Sequence, residues 1–209
     1  MNKEIRQVPE SKIETRTTES GEKILSGIVV PWDSLSVPLF GFKEKFKRGA
    51  FTETLQKRTV KALMNHNSDL LLGSSKSGTL TLRETDIGLE YELRLPNTTV
   101  ANDLYEVVAR GDLDGTSFGF FVPPNGDSWE ETEERQVVRT VEKCELVEIS
   151  PTPFPAYIGS NTQVRSIDQA YQHHIDTSQK DDDFINKTKE QSQRTLFILQ
   201  QKLNLKERI

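Results

Sequence analysis

The stretch GTLTLRETDIGLEYELRL, residues 78–95, carries the clearest secondary-structure pattern in the chain. Apolar and polar residues alternate over residues 78–83 and again over residues 88–95, on either side of a polar turn at residues 84–87. Because alternation places every second side chain on the same face of a strand, this stretch predicts a β-hairpin with one buried face. It favours a mainly β fold.

Helices and further strands are predicted around this hairpin. Residues 24–30 are rich in β-branched residues and end at a proline, which predicts a central strand. Phe51 and Leu55 lie four residues apart, as on one face of a short helix. Apolar residues at i, i+4, i+7 and i+8 over residues 100–108 predict a second helix, which Gly111 is placed to end. The chain therefore reads as α+β.

Three more segments are expected to surround a candidate site. Residues 59–65 predict a strand with His66 at its end. Residues 116–122 and 136–149 predict a second hairpin, with the acidic residues 130–134 as a solvated loop. On its first strand, Ser117 and Gly119 share one face and the neighbouring phenylalanines face the core.

Composition excludes several classes of function. The chain has 209 residues and a net charge of −5, which disfavours a nucleic-acid surface. No apolar run approaches the roughly 20 residues of a membrane span, so we expect no membrane partner. A single cysteine, Cys144, excludes an internal disulfide, and its strand pattern is typical of a buried apolar group. Three histidines without ligand spacing predict no metal and no cofactor.

The composition becomes more polar near residue 166. Residues 166–209 contain many Gln, Lys, Ser and Thr, whereas Leu196, Leu199 and Leu203 keep helical spacing. We therefore expect a main domain over residues 1–165 and a polar tail with a short partner-binding helix over residues 166–209.

Ser117 and His66 are the candidates for nucleophilic chemistry. A serine hydroxyl needs a neighbouring base, and His66 is the only histidine before residue 173. Taken singly, each pattern is more typical of a serine packed against backbone and of a surface histidine.

A succession of ordered blocks resembles the prohead maturation proteases of tailed bacteriophages. The resemblance extends over about residues 24–165. Its blocks are residues 46–51, 62–67, 72–73, 78–80, 88–89, 110–113, 117–120, 148–150 and 155–157. It implies a small β-barrel of herpesvirus-protease type with peripheral helices, and a serine nucleophile, Ser117, paired with His66.

The resemblance leaves the third catalytic residue open. Glu148 lies in one of the blocks, where a carboxylate would orient the imidazole. Regular alternation would place Glu148 on one face with Leu146 and Cys144. Asp112, Asp114 and Asp69 are the alternatives.

The resemblance also implies a function in capsid maturation. Such a serine endopeptidase acts inside the immature capsid, or prohead, in the host cytoplasm. It cleaves scaffold protein or the scaffolding segment of the major capsid protein, and often itself. Those proteins would be its partners, and a homodimer or higher oligomer is expected. The tail over residues 166–209 is therefore expected either to bind a partner or to be removed by self-cleavage. The alternative is a non-enzymatic capsid assembly or scaffolding protein that retains the protease fold.

Overall fold

The computed structural model of the chain describes residues 3–8, 12–39, 41–153, 170–172 and 174–176. The chain divides into two units, residues 1–168 and residues 169–209. In the second unit, residues 170–172 and 174–176 are helical. Residues 155–157 and the predicted tail helix lie outside the described residues, so the division into a protease domain and a tail stays a prediction.

The described part of the first unit contains twelve strands and two helices. In chain order they are β1 (Glu4–Val8), β2 (Glu14–Thr17), β3 (Lys23–Pro31), β4 (Phe42–Phe46), α1 (Thr52–Lys57), β5 (Lys61–Met64), β6 (Asn67–Ser74), β7 (Leu80–Glu84), β8 (Gly88–Arg94), α2 (Thr99–Ala109), β9 (Gly115–Phe121), β10 (Asp127–Glu131), β11 (Val137–Val141) and β12 (Glu145–Thr152).

These strands form three open sheets. The five-stranded sheet has the order β1-β9-β12-β5-β6, the four-stranded sheet β2-β3-β8-β7 and the three-stranded sheet β10-β11-β4. The predicted mainly β fold is confirmed. The small β-barrel of herpesvirus-protease type is not confirmed, because no sheet among the described strands closes on itself.

A cluster of phenylalanine rings fills the space between β4, α1 and β9. The rings of Phe46, Phe51, Phe118 and Phe120 contact one another with centroids 5.3–6.2 Å apart. All four side chains are buried, and aromatic pairs at such distances add to the free energy gained by burial. The face of β9 predicted to be apolar therefore packs into the core.

The predicted hairpin and both predicted helices are confirmed. β7 and β8 pair antiparallel, and β3 lies inside its sheet between β2 and β8. The hydroxyl of Thr98 accepts a hydrogen bond from the backbone N–H of Ala101 and caps α2. Beyond α2, Gly111 adopts φ +82°, a left-handed conformation that suits glycine.

Two predictions about the later strands are wrong. Part of the acidic segment is the strand β10, and residues 136–149 form two strands, β11 and β12, instead of one. β10 pairs with β11 because its inner side chains have partners: Trp129 packs on Phe42 with ring centroids 4.9 Å apart, and Asp127 binds Arg139. The carboxylates of Glu130 and Glu131 remain exposed.

The strand β6 was not foreseen. Its first residues, Asn67 to Asp69, are polar and exposed, so the sequence shows no run of alternating burial there. Only its last three residues are buried.

Charged side chains buried between β1, β4 and β11 form a network of ion pairs. Arg6 binds Glu44 through Nε at 2.8 Å and Glu4 through Nη2 at 2.6 Å. Arg139 binds both oxygens of Glu4, at 2.7 and 3.0 Å, and Oε2 of Glu44 at 2.9 Å. Burial opposes ionisation of Glu4, but the charges and hydrogen bonds of Arg6 and Arg139 outweigh it and lower the pKa of its carboxyl.

We expect Glu4→Gln to lower the free energy of unfolding at pH 7 by about 1.5–3 kcal/mol, because it weakens hydrogen bonds to two charged groups. A carboxyl whose pKa is lowered in the folded state contributes stability above its unfolded pKa and loses it as the pH falls through the folded pKa. The difference between variant and wild type should therefore shrink below about pH 4. Urea unfolding over a pH series measures it.

The matched control is Glu92→Gln, which removes an exposed ion pair with Arg16. Its effect should stay below about 1 kcal/mol at every pH. An equal loss in both variants, or a loss at Glu4 that does not change with pH, would contradict the pairing of Glu4.

Candidate active site

Ser117 lies on β9 between two neighbouring strands. Its register partners are Gln7 on β1 and Ser150 on β12. Its side chain lies on the face of the sheet opposite Phe118 and Phe120, as alternation predicted, and it is completely buried.

His66 lies in a tight turn between β5 and β6 and not at the end of a strand. β5 ends at Met64, and both Asn65 (φ 48°) and His66 (φ 60°) have left-handed backbone. Two consecutive residues with positive φ are typical of the two-residue turn of a β-hairpin. The predicted strand through residue 65 is therefore too long, and the turn, not strand alternation, directs the imidazole.

Hydrogen bonds from β12 hold this turn. The backbone N–H of Asn65 donates to the carbonyl oxygen of Pro151 at 3.1 Å, and that of His66 donates to Ser150 Oγ at 3.1 Å. Thr152 Oγ1 donates to the side-chain oxygen of Asn65 at 3.1 Å. These bonds offset the cost of a left-handed backbone at two residues other than glycine.

Glu148 reaches the site because β12 contains a β-bulge. Leu146 lies opposite Phe120 and Glu148 opposite Gly119, so two steps along β12 match one step along β9. Residues opposite each other on paired strands share a face, so the bulge moves Glu148 to the face opposite that of Leu146. The expectation that Glu148 shares a face with Leu146 and Cys144 is therefore wrong.

The three predicted site residues form one hydrogen-bonded chain. Glu148 Oε1 lies 2.7 Å from His66 Nδ1, and His66 Nε2 lies 2.7 Å from Ser117 Oγ. If Nδ1 carries the proton and donates it to the carboxylate, Nε2 is free to accept the hydroxyl proton. The geometry is that of a nucleophile, a base and a group that orients the base.

The carboxyl of Glu148 is held in its charged form. Burial opposes its ionisation, but the hydrogen bond and charge of His66, followed by those of Lys3, lower its pKa. Lys3 Nζ lies 2.9 Å from Oε1. A glutamate with 2% side-chain exposure is therefore an anion at neutral pH, and that charge stabilises an imidazolium at His66.

Ser150 also belongs to the site and was not predicted from the sequence. Its hydroxyl donates to Glu148 Oε2 at 2.8 Å and accepts from the backbone N–H of His66. It thus fixes the acid and the base relative to each other. The signal available in the sequence was that Ser150 lies two residues after Glu148, on the same face of a strand.

Gly119 and Lys3 also shape the site. A Cβ at Gly119 would lie 2.5 Å from Glu148 Oε1 and would also overlap Lys3 Cε. Glu148 and Lys3 fill the space that the absence of a side chain at Gly119 leaves. No sequence signal links Lys3 to Glu148, 145 positions away.

The alternative acids lie elsewhere. Asp112 pairs with Arg110 at 3.0 Å, and Asp114 and Asp69 are exposed. Cys144 is buried, which raises the pKa of its thiol well above the usual value and leaves little reactive thiolate. Ser117, His66 and Glu148 remain the best-placed group, although their catalytic roles stay a prediction.

The described residues hold neither a cluster that could bind a metal ion nor a helix that could cross a membrane. No three His, Cys, Asp or Glu side chains there are grouped so that they could hold a metal ion. None of the helices described is long and apolar enough to cross a membrane.

Comparisons with known proteins match the chain to a family model and to a solved structure. The model of the caudovirus prohead serine proteases matches residues 11–174, more than half of the chain. No curated protein matches the chain. Among solved structures, the bacteriophage T4 capsid assembly protease is similar with a TM-score of 0.44 and 10% identity, over 71% of this chain and 99% of that one.

We expect Ser150→Ala to slow the reaction of Ser117 with a fluorophosphonate by about 5- to 100-fold, the range given by the loss of one or two buried hydrogen bonds. Ser150→Thr keeps the hydroxyl and should restore most of the rate. Labelling followed by intact mass spectrometry measures it, with Ser128→Ala on exposed β10 as the matched control. Equal rates in Ser150→Ala and Ser128→Ala would show that Ser150 does not position the site.

Proposed function

Since the chain belongs to the caudovirus prohead serine protease family, we propose that it is a serine endopeptidase that cleaves scaffold protein, or the scaffolding segment of the capsid protein, and also itself. The observation that carries this proposal is the chain of hydrogen bonds from Glu148 through His66 to Ser117. Family membership supports the class of reaction, and the geometry supports the role proposed for each residue.

The mechanism follows from the positions of the three side chains. Ser117 Oγ attacks the carbonyl carbon of the scissile bond while His66 Nε2 takes its proton. The imidazolium that forms is stabilised by the carboxylate of Glu148 and then protonates the leaving amine. Water, activated by the same imidazole, releases the acyl group from Ser117.

We place the enzyme inside the prohead in the host cytoplasm, with the major capsid protein or a scaffold protein as partner. We further propose that it acts as a homodimer or higher oligomer and that residues 166–209 recruit it to the assembling shell. The family supports the capsid setting, and the polar tail with its spaced leucines supports the recruitment.

The second candidate is a capsid assembly protein that keeps the protease fold without activity. The complete burial of Ser117 is the observation in its favour, since a buried hydroxyl meets no substrate. The two candidates differ in whether Ser117 ever reacts.

We expect the full chain, kept at high concentration, to lose mass at a defined peptide bond, and Ser117→Ala to keep its full mass. Removing the hydroxyl removes the nucleophile, so the residual rate should fall by a factor on the order of 10⁶. Intact mass spectrometry over time measures both chains, and circular dichroism checks that the variant folds.

If neither chain changes in mass, a scaffold protein added to the wild type stays whole, and Ser117 never reacts with a fluorophosphonate, the non-enzymatic candidate is correct. Equal truncation of wild type and Ser117→Ala would assign the cleavage to another protease.

A further inference from the structure

Strand β1 covers the nucleophile. It pairs antiparallel with β9, with Gln7 opposite Ser117, and Ser117 is 0% exposed. Ser117 Oγ donates a hydrogen bond to the carbonyl oxygen of Arg6 at 2.8 Å. Because the hydroxyl has a single proton, this bond competes with the one to His66 Nε2 that catalysis requires.

β1 lies like an extended peptide in a protease cleft, but in an unreactive position. The hydroxyl of Ser117 meets the carbonyl oxygen of Arg6, whereas attack requires it to approach the carbonyl carbon. β1 is also the edge strand of its sheet, so it can leave without breaking the pairing among β9, β12, β5 and β6.

The side chains that anchor β1 are one acidic and one basic residue. Glu4 and Arg6 lie two residues apart on one face of β1, where Glu4 binds Arg139 and Arg6 binds Glu44. Glu44 and Arg139 belong to β4 and β11 and also bind each other at 2.9 Å. If β1 leaves, these two residues remain beside the edge of β9, where Glu44 can bind a basic side chain and Arg139 an acidic one.

We propose that β1 occupies the substrate site and that the substrate is an extended segment of another protein chain with an acidic and a basic residue two positions apart. The segment adds to the edge of β9, a common way for sheets to bind peptides. Its acidic residue binds Arg139 and its basic residue binds Glu44. This inference rests on the proposed function, and it names Glu44 and Arg139 as residues that determine specificity.

The position of Arg6 also indicates the bond that is cut. Its carbonyl group is the one next to Ser117, so a segment bound in the same register places the bond after its basic residue at the nucleophile. If the bound segment moves slightly along its own axis or rotates slightly about it, its carbonyl carbon comes within reach of the Ser117 hydroxyl. In each chain, β1 then competes with the substrate for the active site.

The test releases β1 from the folded protein. A site for a sequence-specific protease is introduced at residues 9–11 of the full chain, the chain is folded and then cut, and the β1 peptide is removed by gel filtration. Reaction of Ser117 with a fluorophosphonate is followed by mass spectrometry before and after cutting. Lys3 leaves with the peptide, but Glu148 keeps its hydrogen bonds with His66 and Ser150. We therefore expect the rate to rise at least tenfold, because the hydroxyl becomes accessible and no longer donates to Arg6.

Two peptides then test the charge pattern. The peptide Lys-Glu-Ile-Arg-Gln-Val reproduces residues 3–8, and Lys-Arg-Ile-Glu-Gln-Val has the same composition and net charge with the acid and the base exchanged. We expect the first to slow labelling of the cut protein at a concentration at least tenfold lower than the second. Equal inhibition by both peptides would overturn the assignment of Glu44 and Arg139.

The remaining outcomes separate this inference from the proposed function. Labelling of Ser117 at the same rate before and after removal of β1 overturns the occupied site but leaves a serine protease. A β1 peptide that cannot be separated from the cut protein also overturns it, since no substrate could then take its place. A Ser117 that never reacts, with or without β1, overturns the proposed function itself.

Discussion

The extra residue that β12 carries between Leu146 and Glu148 sets the direction of every later side chain on that strand. In a regular strand Glu148 would face the same side as Leu146, toward the buried phenylalanines, where an unpaired carboxylate is costly. The bulge at Val147 instead turns Glu148 and Ser150 to the side of Ser117. There the carboxylate forms hydrogen bonds with His66, Ser150 and Lys3, and these contacts offset the cost of burying its charge.

The same strand also places the base. Backbone and side-chain groups of Ser150, Pro151 and Thr152 bind the turn that carries His66, so acid and base are both held by β12. The nucleophile comes from β9, its neighbour in the sheet. Three residues distant in sequence are thus fixed by one pair of strands, and the apolar face of β9 is anchored by the phenylalanine cluster beneath it. Ser117 and Glu148 lie on strands, which hold side chains more rigidly than loops do, and β12 holds the turn that carries His66.

The sequence predicted those elements that depend on the spacing of apolar residues within one short segment. Alternation over residues 78–95 predicted the β7–β8 hairpin, and helical spacing predicted α2. The alternation of side chains along β9 placed Ser117 and Phe118 on opposite faces of the sheet. The bulge at Val147 could not be predicted, because it depends on the register between β12 and β9. The turn at His66 lacks the glycine that marks most such turns, and the contact of Lys3 with Glu148 joins the two ends of the unit. The closed barrel was inferred from resemblance alone, and the strand pairing does not support it.

We infer that Glu148 holds the proton of His66 on Nδ1 and leaves Nε2 to accept from Ser117. The most direct measurement is heteronuclear NMR of the chain with ¹⁵N-labelled histidine, with His66→Gln to assign the signals. We expect the neutral imidazole to carry its proton on Nδ1 and not on Nε2, and Glu148→Gln to lose this preference. A neutral His66 with its proton on Nε2, or a tautomer unchanged by Glu148→Gln, would contradict it, because Ser117 would then have no base oriented by Glu148.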